Sequence, residues 1–138
     1  MDTFFLRIIA SDKIFFEGRC KNVILPTTDG QMGILAHHEN MIIAIEIGEI
    51  RLQTAEGEWM NAAVSKGFAE VINNRLSVLV NTAERPEDID IIRAREAKER
   101  AEEQLRQKQS IQEYNISQAS LARAITRLKT SSHGKKYI

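Results

Sequence analysis

The chain is short of cysteine, proline and long apolar runs, and each shortage closes off a class of protein. Cys20 is its one cysteine. That excludes an internal disulfide and a multi-cysteine metal site, and it fits a reducing compartment. Cys20 therefore reads as a small strand residue rather than a nucleophile. The longest unbroken apolar run, Met41-Ile42-Ile43-Ala44-Ile45, falls far short of the roughly 20 residues that span a bilayer. Residues Met1 to Arg7 carry neither a basic segment nor a long apolar one, so no secretory signal is expected. No Walker-type glycine loop, catalytic triad or metal set is visible, which points to a protein that binds partners rather than one that catalyses a reaction.

The 138 residues fit one ordinary domain or two small ones, with the apolar and charged fractions of a globular chain. A net charge of zero hides an asymmetry. Residues 1–84 hold seven Lys/Arg and eleven Asp/Glu, a balance of −4, whereas residues 85–138 hold twelve and eight, a balance of +4. From Arg106 onward seven basic residues face one acidic one, Glu113, so the last third is expected to seek an anionic partner.

From Phe4 to Thr82 apolar residues follow short period-two patterns closed by turn signals. Glu49 to Thr54 and Arg75 to Val80 alternate cleanly, as a strand with one buried face requires. Asn73-Asn74 is suited to a two-residue hairpin turn because asparagine tolerates positive φ, and Ala55-Glu56-Gly57-Glu58 does the same before Trp59. Gly30 and Gly33 also read as turn residues. Many short strands predict an antiparallel β-sandwich over residues 1–85. Its expected core is Phe4, Leu6, Ile8, Phe16, Val23, Leu25, Ile50, Leu52, Phe68, Val71, Leu76, Val78 and Val80.

At Arg85-Pro86-Glu87-Asp88 the character changes. Proline suits the first turn of a helix and acids favour its positive end. Ile89 to Lys108 contains no Gly or Pro and is rich in helix formers. Gln107 to Ser110 loses the apolar spacing, and a second helix is expected from about Ile111 to Leu128, before a polar tail, Thr130 to Lys136. The whole reads as an α+β chain, with an antiparallel two-helix hairpin over residues 86–138. Its seam is predicted as Ile89, Ala94, Ala97, Ala101 and Leu105 against Ala119, Ala122, Ile125 and Leu128. Alanine buries little area, so the hairpin is expected to be marginal and able to open. With one aromatic, Tyr114, and sparse basic residues, its second helix does not suit nucleic acid.

Ile89-Asp90-Ile91-Ile92-Arg93-Ala94 resembles the I-D-x-x-R-A signature of the epsilon subunit of bacterial F-type ATP synthases, in the lineages whose epsilon binds ATP. Pro26 to Leu35 is similar to the family's P-x-x-x-G-x-x-G-I-L turn, which a histidine matching His38 follows. Gly67-Phe68-Ala69-Glu70-Val71 resembles its G-G-F-x-E-V strand, and Thr82-Ala83-Glu84-Arg85 its closing T-A-E-x. The match spans essentially the whole chain. His37 stands where the family has Gly, Asn40 where it has Pro, and Lys66 where it has the first Gly of G-G-F.

The resemblance implies a non-catalytic central-stalk subunit of a proton-translocating synthase, peripheral on the cytoplasmic face of the bacterial plasma membrane and requiring no cofactor. It implies a sandwich that packs on the gamma subunit, with the loop carrying Gln31, His37, His38 and Glu39 facing the c-ring. It implies a hairpin that binds ATP as a regulatory ligand when folded, and meets acidic segments of the beta subunits when extended. Carried over one at a time, the ATP positions are Glu84, Ile89, Asp90, Arg93, Ala94, Arg100, Arg123 and Arg127. Arg93 and Arg100 share a helix face, as do Arg123 and Arg127, so a closed hairpin can converge four guanidinium groups on phosphate. On the residues alone, the same arginines also read as the coat of a solvated face, with Glu96 and Arg100 an ordinary surface pair. His37 and His38 lack a ligand set beyond Glu39 and read as an exposed partner loop rather than a metal site.

Overall fold

The computed structural model describes residues 2–11, 13–106 and 111–137. Nine strands come first: β1 Phe4–Ala10, β2 Lys13–Thr27, β3 Gly30–Leu35, β4 Met41–Ile45, β5 Gly48–Thr54, β6 Trp59–Val64, β7 Gly67–Ile72, β8 Arg75–Val80 and β9 Ala83–Glu84. A 3-10 turn, Pro86–Asp88, leads to helices α1, Ile91–Arg106, and α2, Ile111–Tyr137. The expected connection Gln107–Ser110 lies outside the described residues.

The strands hydrogen-bond in the order β4-β7-β8-β1-β2-β5-β6-β9, with β3 also on β2. The first half of β2 pairs with β1, whereas its second half, past an irregularity between Cys20 and Asn22, pairs with β3 and β5. The 15-residue β2 thus passes from one layer to the other and folds the sheet over its own core. All pairings are antiparallel except β1 with β8, which run parallel.

Alternation decides which side chains meet. Phe4, Leu6 and Ile8 of β1 and Leu76, Val78 and Val80 of β8 are buried with Val23, Leu25, Ile50 and Leu52 from the opposite layer. Phe68 departs from expectation, being 45% exposed. The inward phase of β7 is set by Ala69 and Val71, and Phe68 sits outside, opposite Ala44 of β4. Phe16 is partly buried at the edge of the core. Asn73 and Asn74 take φ of 50° and 63°, as the hairpin turn demands, and Gly57 takes 95°. Gly33 is not in a turn: it lies within β3, paired with Ile24.

β6 breaks the alternation. Residues Asn61 to Ser65 are all buried, because its inner face meets the core through Val64 while its outer face lies beneath the helices. Ala63 on that outer face packs with Ile89, Ala94 and Leu128. The helical seam is as thin as expected, although its phase differs. The buried residues are Ala94 and Ala101 on α1 and Ser117 and Ala124 on α2, whereas Ala122 faces solvent. Alanines at 119, 122 and 124 leave the helix rotation undetermined until a surface is supplied. Ile89 and Asp90 precede α1 rather than open it, and α2 runs through the expected polar tail to Tyr137. Thr130 and Ser131 are buried there.

Candidate functional site

β9 carries Glu84 to the edge of the sandwich nearest the arm. Its position is fixed by Ala63 and Val64 of β6, which pair with Glu84 and Ala83. Just upstream, the Ser65 N–H donates to Thr82 O at 3.1 Å and the Thr82 N–H to Ser65 Oγ at 2.8 Å. Arg127 of α2 meets the carboxylate there. Its Nη2 donates to Glu84 Oε2 at 3.1 Å, and Nε lies 3.0 Å from Oε1. Only the Nη2 contact has hydrogen-bond geometry, so the buried Nε–H is left without an aligned acceptor.

Arg123, one turn earlier on the same helix face, lines a small hollow of about 30 Å³ with Ile47, Val64, Ser65, Thr82, Glu84, Thr126 and Arg127. Its Nη2 donates to Ser120 Oγ at 3.1 Å. Asp90 sits before α1 and caps it: Oδ1 accepts from the Arg93 N–H at 3.1 Å, which satisfies one of the helix's orphan donors. The Arg93 side chain turns back toward the same carboxylate, Nε to Oδ2 3.5 Å, and stays 82% exposed. Arg100 is exposed on α1. Ile89 and Ala94 are buried in the contact that seats the arm.

The structure therefore brings Glu84, Arg123 and Arg127 together, binds Arg93 to Asp90, and uses Ile89 and Ala94 as packing. Arg93 and Arg100 stand outside the lining of the hollow.

The residues expected as one partner loop lie at two places. Gln31 belongs to β3, near α2, where its Oε1 accepts from Arg51 Nη2 at 3.3 Å. His37, His38 and Glu39 follow the far end of β3. His37 adopts φ 64°, held by its N–H on Asn74 Oδ1 at 2.6 Å, while its Nε2 lies 3.1 Å from Asp2 Oδ2. Asn74 Nδ2 in turn donates to Thr3 O at 3.0 Å, and the Asn73 N–H donates to Asn40 Oδ1 at 2.9 Å. The Asn-Asn turn thus braces the histidine loop, a role that its turn propensity alone did not reveal. Among the described residues, no three His, Cys, Asp or Glu side chains cluster to hold a metal, and no helix is long and apolar enough to cross a membrane.

Also unforeseen is the docking of α2 beyond Leu128. Asn61 Nδ2 donates to Thr130 O at 3.2 Å in a buried bond, and His133 Nδ1 lies 2.8 Å from Glu49 Oε2. The one signal in the sequence was the run Asn61-Ala62-Ala63-Val64-Ser65, too small and too regular to be a half-exposed strand.

Comparison with known proteins agrees with this architecture. Residues 3–86 match the model of the ATP synthase Delta/Epsilon chain beta-sandwich domain, and residues 87–132 that of its long alpha-helix domain. The ATP synthase epsilon chain of Ruminiclostridium cellulolyticum is 44% identical over 132 residues, covering 96% of this chain and 98% of the relative. That of Caldicellulosiruptor bescii is 39% identical over the whole of both chains. A chain in the cryo-EM structure of the Euglena gracilis mitochondrial ATP synthase has the same fold, with a TM-score of 0.83 at 21% identity, covering 95% of this chain and 82% of that one. The chain belongs to the ATP synthase epsilon-chain family.

Proposed function

We propose that this chain is the rotor epsilon subunit of a proton-translocating F-type synthase, coupling the gamma subunit to the c-ring on the cytoplasmic face of a bacterial plasma membrane. It makes no chemical step itself, and its two-helix arm regulates ATP hydrolysis in response to ATP. The observation that carries the regulatory part is the seating of the arm: Arg127 closes on Glu84, and Arg123 stands beside it. ATP binding this folded form alone would hold it, in proportion to its differential affinity for the folded over the extended arm. In the extended form the basic α2 is freed to meet acidic segments of the beta subunits.

A hollow of about 30 Å³ does not admit a nucleotide. ATP at this edge therefore engages the exposed Arg93, Arg100 and Arg123 from outside, or draws Arg127 away from Glu84. The coupling part is supported by an apolar patch on the outer face of β4 and β7, where Ile42, Phe68 and Ile72 are 73%, 45% and 45% exposed. Exposed apolar residues grouped on one sheet face, here around Glu70, mark a protein-contact surface, which suits gamma, and the braced His37–Glu39 loop suits the ring.

The test is thermal unfolding of the isolated chain with and without ATP. A site filled at about 100 times its Kd adds about 2.7 kcal/mol, a rise of several degrees in Tm for a chain of this size. Arg127→Ala and Arg93→Ala should abolish the rise. An unchanged Tm in the wild type sinks the nucleotide reading.

A second reading is favoured by the anchoring of α2 through Asn61 and Glu49: the arm stays folded and the chain is a structural coupler only. Removing residues 87–138 separates the two. Unchanged ATP hydrolysis by the assembled enzyme would select the coupler.

A further inference from the structure

We propose that the last turns of α2 form a clasp that holds the folded arm to the sandwich independently of any nucleotide. This rests on the reading that the arm opens, and it names a contact set apart from the arginine edge. The paired part of the hairpin ends near Leu128, which packs on Ile89, Ala94 and Ala63. Beyond it α2 continues to Tyr137, and Thr130 is fully buried and Ser131 nearly so. A polar helix end that buries itself needs partners from the surface that covers it, although the Thr130 hydroxyl is left without one.

The sandwich supplies that surface at two points. Asn61, 7% exposed on the outer face of β6, donates its amide to Thr130 O, a carbonyl about two turns before the end of α2. One turn on, the His133 ring N–H at Nδ1 donates to the Glu49 carboxylate, 2.8 Å from Oε2 and 3.0 Å from Oε1. The Glu49 side chain is only 12% exposed and that of His133 41%. Glu49 follows Gly48 at the start of β5 and Asn61 lies in β6, so the clasp spans adjacent strands.

The clasp and the arginine edge lie on successive stretches of one helix, so opening the arm must break both. The consequence is a folded arm with two separable holds: one at the arginine edge, where a nucleotide would act, and one set by the Asn61–Thr130 and Glu49–His133 contacts. Loss of the second leaves the nucleotide hold intact and shifts the balance toward the open arm.

Hydrogen exchange of the full chain, followed by mass spectrometry on α2 peptides covering residues 115–128, reads the opening even when the closed arm predominates. A partly exposed charge-assisted hydrogen bond sets the scale. His133→Ala should speed exchange there about five-fold, Glu49→Ala should do the same, and β1 and β8 peptides should not change. The double variant His133→Ala/Glu49→Ala should exchange no faster than either single one. Equal exchange in wild type and variants overturns the clasp. So does an additive double variant, which would mean simple fraying of the helix end. Adding ATP tests the other reading separately: slowing in every variant supports the nucleotide hold, while no slowing removes it and leaves the comparison of variants standing.

Discussion

Gly67→Ala is the substitution whose cost can be worked most directly from the structure. Gly67 opens β7 opposite Val80 of β8. A methyl group built there would lie 2.7 Å from Val80 Cα and 2.8 Å from Leu79 C, and closer still to Leu79 O. These are backbone atoms, which cannot swing aside as a side chain would, so β7 and β8 must part locally. Overpacking of this kind costs about 1–3 kcal/mol. Parting the strands also strains the Gly67–Val80 pairing and the adjacent Asn81 N–H to Lys66 O bond of 3.2 Å, at about 1 kcal/mol each. The total is about 3–5 kcal/mol, a large fraction of the roughly 5–15 kcal/mol that holds a domain. Urea unfolding followed by circular dichroism should show the midpoint falling by about 2 M with the slope unchanged, given about 2 kcal/mol per M for a chain of this size. Gly33→Ala is the control, because its added methyl group meets nothing within 4 Å; its midpoint should stay within experimental scatter. A loss below about 1 kcal/mol for Gly67→Ala, or equal losses for both, would refute the steric reasoning. The damage should reach the site, since Ser65 and Thr82, which brace Glu84, adjoin the same crossing.

Three further outcomes are expected. Burial, with the Glu56 charge adding to it, pushes the Cys20 thiol up from 9.0 to about 11. The thiol's contribution to stability is therefore full below pH 9 and lost as pH rises toward 11, by up to about 3 kcal/mol. Cys20→Ala should flatten that alkaline decline, and thiol-specific alkylation at pH 8 should need unfolding; rapid labelling of the native chain would contradict the burial. For the partly exposed Glu84–Arg127 pair, a double-mutant cycle with Glu84→Gln and Arg127→Gln should give a coupling of about 1 kcal/mol in unfolding; zero coupling would mean that the pair does not seat the arm. Asp90→Ala should cost about 1 kcal/mol through loss of the cap on α1, while Asp90→Ser recovers most of it; equal stability of Asp90→Ala and wild type would remove the capping role.

The sandwich was legible because alternation and turn chemistry are local. Val78 and Leu76 declare a buried face within one strand, and Asn73-Asn74 can be read from the φ that asparagine tolerates. Phe68 was misplaced for the same reason. Its neighbour Ala69 is small, and nothing local says that the smaller residue points inward while the aromatic one lies outside beside Ile42 and Ile72. The arginines could be listed from the sequence, but Asp90 was read inside the first helix, and only the structure sets it one residue ahead of α1 as its cap. Gln31 and His37 were expected on one partner loop because the family resemblance implies it. A six-residue strand runs about 20 Å end to end, so β3 holds them apart.

By itself the sequence determined the order of elements, the switch at Arg85-Pro86 from strand to helix, the charge division between the halves, and the thinness of the helical seam. These depend on backbone preference and on residue size, which act over a few positions. Tertiary structure decided the rotation of α2, its continuation through Thr130 to Tyr137, the burial of β6 on both faces, and the meeting of Glu84 with Arg127 and of Glu49 with His133. An alanine-rich helix has no preferred face and a polar helix end no reason to be buried until another element, distant in sequence, supplies the surface and the hydrogen-bond partner.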